Sequence, residues 1–359
     1  MSLDEKVMGK HHDKNIFIGI QTIRAFACLA IMFCHTSLGN GHGAIGVHCF
    51  FVISGFVTML STEKGMDGYW KKRISKIIPL YYFMTIIISI ILYFAPFLFR
   101  SSELRCDYFF KSLLFIPYNH NGINGPIMAI GWTLNYEMFF YACFYLCSTI
   151  CHPKRGVIYS IVAIILTFIG TIKNKEMIEP FAAWCNPIVL EFAIGIFIYI
   201  VYQKGLLSIK ERYNGSAISF LWITYVTITL ILMVMIEALM KEVLGAYISL
   251  VEGIIAGIML AFSVCIERLL RGFGIIVLFG NLSYIVYLTH YYIIKGIDYI
   301  GDIKGLSKII TAFIGIVFAI TASLLGYEIH NRVKEYINES TIINRCEKII
   351  AKQRDNNRD

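Results

Sequence analysis

Uninterrupted apolar stretches of eighteen residues or more recur along almost the whole chain, and each is long enough to cross a hydrocarbon core of about 30 Å as a helix. Inside lipid no water satisfies the backbone, so only helices or a closed barrel can span it. The period-two alternation that a membrane barrel writes in segments of about ten residues is absent. The sequence therefore predicts an all-α, polytopic integral membrane protein with about ten transmembrane helices. Spans are expected at 16–38, 44–61, 77–99, 130–151, 155–172, 181–202, 217–239, 245–265, 273–296 and 307–330. Only 16% of the 359 residues are charged, against about a quarter in soluble domains, which excludes a soluble enzyme. The first span is too long for a cleavable signal, carries Arg24 and lacks a small-x-small cleavage site, so it is expected to remain as a helix.

The formal charge of +8 could point to a nucleic-acid partner, but topology accounts for it. When both termini and the even-numbered connections are placed on one side, that side holds 22 of the 32 Lys and Arg and the other side nine. Basic excess marks the cytoplasmic side, so both termini are predicted cytoplasmic, in the inner membrane, with no nucleic-acid partner. Ten cysteines include no Cys-x-x-Cys pair, and seven lie inside apolar runs, where they read as small buried hydrophobes; no metal is expected. Residues 1–336 form the expected transmembrane domain and 337–359 a charged cytoplasmic tail. The longest external connection, 100–129, is expected to fold over the outer mouth. No Walker loop or dinucleotide glycine fingerprint is present, so ATP and NAD have no support.

Ionisable groups inside a bilayer cost about 2.5 to 3.5 kcal/mol each near a helix centre, so those that persist face a cavity or a partner. Gln21, Arg24, Cys28, Met32 and His35 share one face of the first helix, with Arg24 and His35 about 16 Å apart along the axis. Thr133, Glu137 and Tyr141 form a stripe on the fourth span, and Ser283, Tyr287 and His290 one on the ninth. His48 is expected near the outer start of the second. His48 and His290 have a plainer reading as hydrogen-bonding links between helices. Glu137 could instead neutralise Arg24, although their expected depths differ, and Glu191 and Glu252 stay ambiguous. Lys71, Lys72, Arg73 and Lys76, read as the end of the first internal loop, could hold anionic lipid headgroups or the phosphates of a nucleotide-like cofactor.

These residues carry a resemblance. Arg24, ten residues and His35 are followed by Gly46-Val47-His48-Cys49-Phe50-Phe51-Val52-Ile53-Ser54-Gly55-Phe56, then by Lys72-Arg73-x-x-Lys76-Ile77-x-Pro79. That order resembles the membrane-bound acyltransferase family 3. The run Gly131-Trp132-Thr133-Leu134-Asn135-Tyr136-Glu137 resembles in particular its exopolysaccharide-modifying, ExoZ-like branch. Leu190-Glu191-Phe192-x-x-Gly195 and Ser283-Tyr284-x-x-Tyr287-Leu288-x-His290 extend the match. The resemblance implies an acyltransferase that uses acetyl-CoA or another acyl-CoA as donor and O-acylates a polysaccharide or lipid-linked sugar. In one departure, position 48 carries His where the family has Asp after Gly-Val.

Carried onto this sequence, the resemblance and the residue reading give His35 as base toward a sugar hydroxyl, or as a transiently acylated nucleophile. Glu137 is expected to hold the imidazolium. Arg24, Lys72, Arg73 and Lys76 are expected to bind the donor. Trp132, Asn135 and Tyr136 are candidate oxyanion donors, and His48 and His290 complete the candidate substrate site. A continuous polar passage is expected to join Arg24 to His35. The alternatives are a transporter or flippase of a lipid-linked saccharide, and a catalytically inactive relative.

Overall fold

The computed structural model describes residues 17–39, 45–99, 102–120, 123–173, 176–207, 216–270 and 273–339. Its long helices are α1 (Ile18–Cys34), α2 (Ile45–Ser61), α3 (Tyr69–Phe94), α4 (Trp132–Ile150), α5 (Arg155–Lys173), α6 (Val189–Gln203), α7 (Ser216–Leu244), α8 (Ile248–Ile266), α9 (Gly274–Lys304) and α10 (Lys308–Glu339). One falls on each predicted span. The fold is helical as expected, apart from a two-residue antiparallel ladder pairing Asn119 with Asn124 and His120 with Ile123.

Six segments among the described residues are long and apolar enough to cross a membrane, and one of them, Ala217–Leu269, contains both α7 and α8. Helices α1 and α2 are apolar but 17 residues long, which makes each about 26 Å. Large apolar side chains such as Phe83, Ile164, Phe168, Ile231 and Phe313 point outward rather than into the core. Such a surface needs lipid around it. The protein is a multi-pass membrane protein.

Helix α2 is central and packs on α1, α6 and α8, while α9 packs on α1 and α10. Two glycines let α2 and α6 touch backbone to backbone. A Cβ on Gly55 would stand 2.1 Å from the Phe192 carbonyl oxygen, and one on Gly195 would stand 1.9 Å from that of Val52. Without water to drive helices together, such close approach is a principal source of their association. The start of α1 is capped from far along the chain: the Glu267 carboxylate accepts from the Ile18 and Gly19 N–H groups at 2.6 and 3.0 Å. A carboxylate there meets the unpaired donors and the positive end of the helix dipole.

One expectation changes. Helix α3 begins at Tyr69, eight residues before the predicted start, so Lys71, Lys72, Arg73 and Lys76 lie on its first turns and not in a loop. Pro79 inside α3 misled the boundary: it removes one helical hydrogen bond, which a membrane helix tolerates. The connection between α3 and α4 packs back against the middle of α3. Its eight-residue helix Cys106–Leu113 accepts hydrogen bonds from the Tyr81 hydroxyl at the Ser112 carbonyl (3.0 Å) and from the Tyr82 hydroxyl at the Leu113 carbonyl (2.9 Å). Helix α10 continues past position 336 to Glu339, and the remainder of the expected tail lies outside the described residues.

Candidate active site

Helices α1, α2, α3, α4 and α9 enclose a cavity of about 250 Å³. Its α2 wall includes Val47, Phe51, Ser54, Thr58 and Ser61, spaced three or four apart, with Phe50 beside them. The α4 wall is the predicted stripe of Thr133, Glu137 and Tyr141, with Leu134. Arg24, Lys72, Arg73 and Lys76 all line it, so four cations converge around one carboxylate, Glu137.

Each charge is held differently. Arg24 Nη2 donates to Ser283 Oγ at 2.9 Å, which ties α1 to α9. Arg73 is buried with its guanidinium carbon 3.8 Å from the Tyr69 ring centroid and 4.9 Å from that of Tyr141, and it donates to Ser61 Oγ at 3.1 Å. Lys72 and Lys76 remain exposed. Among the described residues none of the four forms an ion pair within 4 Å. A cavity with unneutralised cations attracts an anion. Glu137 accepts from the Tyr141 hydroxyl and, at 3.3 Å, from Ser54 Oγ.

His35 ends α1 as its C-terminal cap and does not line the cavity. Its ring centroid lies 5.3 Å from that of His290 and 5.0 Å from Tyr291. Tyr287, a cavity wall, stands 5.8 Å from His290 and 6.3 Å from Phe50. The Tyr287 hydroxyl is fixed by the Ile130 carbonyl at 3.0 Å and by Thr133 Oγ at 2.9 Å. The cavity lining does not reach His35 as expected from the Arg24–His35 face: it carries an aromatic layer of Phe50 and Tyr287, and Tyr287 is in contact with His290. A stripe on one helix gives a direction, whereas aromatic side chains from two other helices decide whether the space is open.

Three further expectations are corrected by geometry. Glu137 contacts Tyr141 and Ser54 and not His35, because it faces the cavity one layer away. Trp132 and Tyr136 pack against Phe51 at 6.4 and 6.1 Å, and Asn135 is buried away from the cavity lining. All three lie about 100° around α4 from a cavity-facing neighbour. His48 is buried between Glu191 and Glu252, with Nδ1 2.8 Å from Glu191 Oε1 and Nε2 2.8 Å from Glu252 Oε2. That pairing occupies both ring nitrogens, so His48 links α2 to α6 and α8.

Sequence reading missed Ser54, Ser61 and Tyr284 as cavity residues. Ser54 and Ser61 lie on the same face of α2 at a seven-residue interval, which was the available signal. Arg24, the α3 cations, Glu137 and Tyr141 were legible, and the fold gathers them.

An acyltransferase domain, the Acyl_transf_3 family, matches residues 17–328. The exopolysaccharide production protein ExoZ of Rhizobium meliloti (strain 1021) is 27% identical over 309 residues, 82% of this chain and 92% of that protein. A protein of Acidianus two-tailed virus named "Putative acetyltransferase ORF330" is 28% identical over 246 residues, 62% of this chain and 68% of that protein. No solved structure matches. A family match running from the start of α1 into α10 takes in every wall of the cavity, and the chain accordingly belongs to acyltransferase family 3 as a membrane-spanning acyltransferase.

Proposed function

We propose that the protein moves an acyl group, most simply acetyl, from cytoplasmic acyl-CoA to a hydroxyl of a cell-surface or exopolysaccharide sugar. It does so from the inner, cytoplasmic membrane with both termini cytoplasmic. The observation that carries the reading is the cavity with four cations around one carboxylate. The thioester donor carries phosphates, and these meet Lys72 and Lys76 as point charges and Arg24 and Arg73 as guanidinium forks. A space of about 250 Å³ is smaller than the roughly 300 to 1,000 Å³ of most ligand pockets. It suits the thioester arm, with the nucleotide end left at the basic mouth. The name of the rhizobial relative supports a polysaccharide acceptor, and that of the viral one supports acetyl.

His35 is the base. A neutral imidazole, with an ordinary pKa near 6.5, removes the proton of the attacking hydroxyl as the new C–O bond forms. The C–S bond then breaks, and the proton leaves with the thiolate as the free thiol. Phe50 and Tyr287 must part for the thioester to reach His35, so passage through this layer is a step of the cycle.

The test uses purified protein, labelled acetyl-CoA and a polysaccharide acceptor. The wild type should label the glycan, and His35→Ala should lose labelling while still inserting in the membrane. Retained labelling in that variant removes His35 from the mechanism. Movement of the saccharide across vesicles without acylation would favour a transporter.

A further inference from the structure

A base that becomes an imidazolium needs a hydrogen-bond acceptor at its second nitrogen, and in the serine-protease triad a carboxylate supplies it. Here none does: among the described residues the contacts between histidine and carboxylate within 4 Å all belong to His48. Glu137, the carboxylate of the cavity, is bound to Tyr141 and Ser54. Two rings stand beside His35, those of Tyr291 at 5.0 Å and His290 at 5.3 Å between centroids, and the second is an imidazole.

His290 is fully buried, and its Nδ1 lies 3.0 Å from the Val286 carbonyl oxygen, one turn back on α9. A carbonyl oxygen only accepts, so Nδ1 carries the hydrogen. In a neutral imidazole that assignment leaves Nε2 as a lone-pair acceptor. The same Nε2 is buried with no hydrogen-bond partner among the described residues. A buried acceptor with no donor is a cost that native structures seldom carry without a use. With the His290 ring held by Val286, this centroid separation leaves about 3 Å, a full hydrogen-bond length, between a His35 nitrogen turned toward it and Nε2 when both lie on the line between the rings.

We propose that His290 is the positioning residue for His35: its tautomer, locked by Val286, presents Nε2 to accept a hydrogen bond from the second nitrogen of His35. That bond holds His35 with its other nitrogen free for the hydroxyl, and it stabilises the imidazolium during transfer. The proton taken from the hydroxyl stays on His35 until the thiolate leaves with it, so His290 gains no proton. The inference rests on the proposed acyl transfer with His35 as base.

Two conservative variants separate this role from a structural one. His290→Asn keeps a donor at the Nδ1 position for the Val286 carbonyl but has no acceptor at the Nε2 position. His290→Gln places an amide oxygen at the Nε2 position. In the labelled acyl-transfer assay, kcat should fall about 100-fold or more in H290N, with the KM for acetyl-CoA unchanged, and within about tenfold of wild type in H290Q. The opposite order, with H290N more active than H290Q, would show that the bond to Val286 is what matters and would overturn the proposal. So would kcat within threefold of wild type in both. If both variants fail to insert, the proposal is also overturned, because Gln should be tolerated by a site that needs only an acceptor. Activity in H35A refutes the parent reading, whereas an inactive H35A beside an active H290N refutes this inference alone.

Discussion

Replacing His48 by leucine would strand two carboxylates in the centre of the helix bundle. Glu191 and Glu252 are 0% and 2% exposed, and each holds one ring nitrogen at 2.8 Å. Each of these contacts needs a proton, and imidazolium provides both. Without it, at least one carboxylate must take up a proton to remain buried. For an ordinary glutamate near pKa 4.3 this costs about 3.7 kcal/mol at pH 7, since the gap is about 2.7 units at 1.36 kcal/mol each. That agrees with the roughly 3 to 5 kcal/mol seen when one partner of a buried ion pair is removed. The variant's folded state binds one proton more than its unfolded chain throughout this range, whereas the wild-type fold has the same advantage only down to the ordinary histidine pKa near 6.5, so the deficit should shrink slowly from pH 7 and approach about 1.4 kcal/mol per pH unit below about 6. The assay is unfolding of purified protein in micelles, followed by helical signal against temperature or added SDS, at pH 7.0 and 5.5. H48L should be markedly less stable at pH 7.0 and recover about 1 kcal/mol of the loss at 5.5. The variant with Glu191→Leu and Glu252→Met added should recover most of it at both, since apolar replacement of a whole buried ionic cluster is often neutral. A deficit below 1 kcal/mol at pH 7.0, or one independent of pH, would refute the argument.

Arg24→Lys should lower kcat/KM for acyl-CoA by about tenfold or more, because it replaces a fork bonded to Ser283 at 2.9 Å with a point charge; initial rates against donor concentration measure it. Gly195→Val should destabilise by about 1 to 3 kcal/mol or more, since even a first side-chain carbon would sit 1.9 Å from the Val52 carbonyl; the unfolding midpoint in micelles reports it.

Much of the fold was legible because a membrane span announces itself in one dimension. Apolar length alone located the ten helices, and the error came at α3, where Pro79 and the basic run imitated a loop. The Arg24 face and the Thr133–Glu137–Tyr141 stripe were legible for a similar reason: helical periodicity assigns each residue a direction. What periodicity does not give is which stripe meets which. His48 and Glu191 are 143 positions apart, and their pairing depends on the rotation of α2 against α6, set by Gly55 and Gly195. The layer of Phe50 and Tyr287 depends likewise on two helices leaning together. Trp132, Asn135 and Tyr136 shared a motif with Glu137, yet neighbours in sequence turn to different sides of a helix.

Sidedness tests the account most directly. Sealed membrane vesicles of defined orientation, containing the protein and a surface polysaccharide, would receive labelled acetyl-CoA in the bulk solution. Label should enter the glycan only in inverted vesicles, whose cytoplasmic face and basic cavity mouth meet the donor, and Lys72→Glu with Lys76→Glu should suppress it. Equal labelling from the opposite face, or labelling untouched by reversing those two charges, would contradict the account.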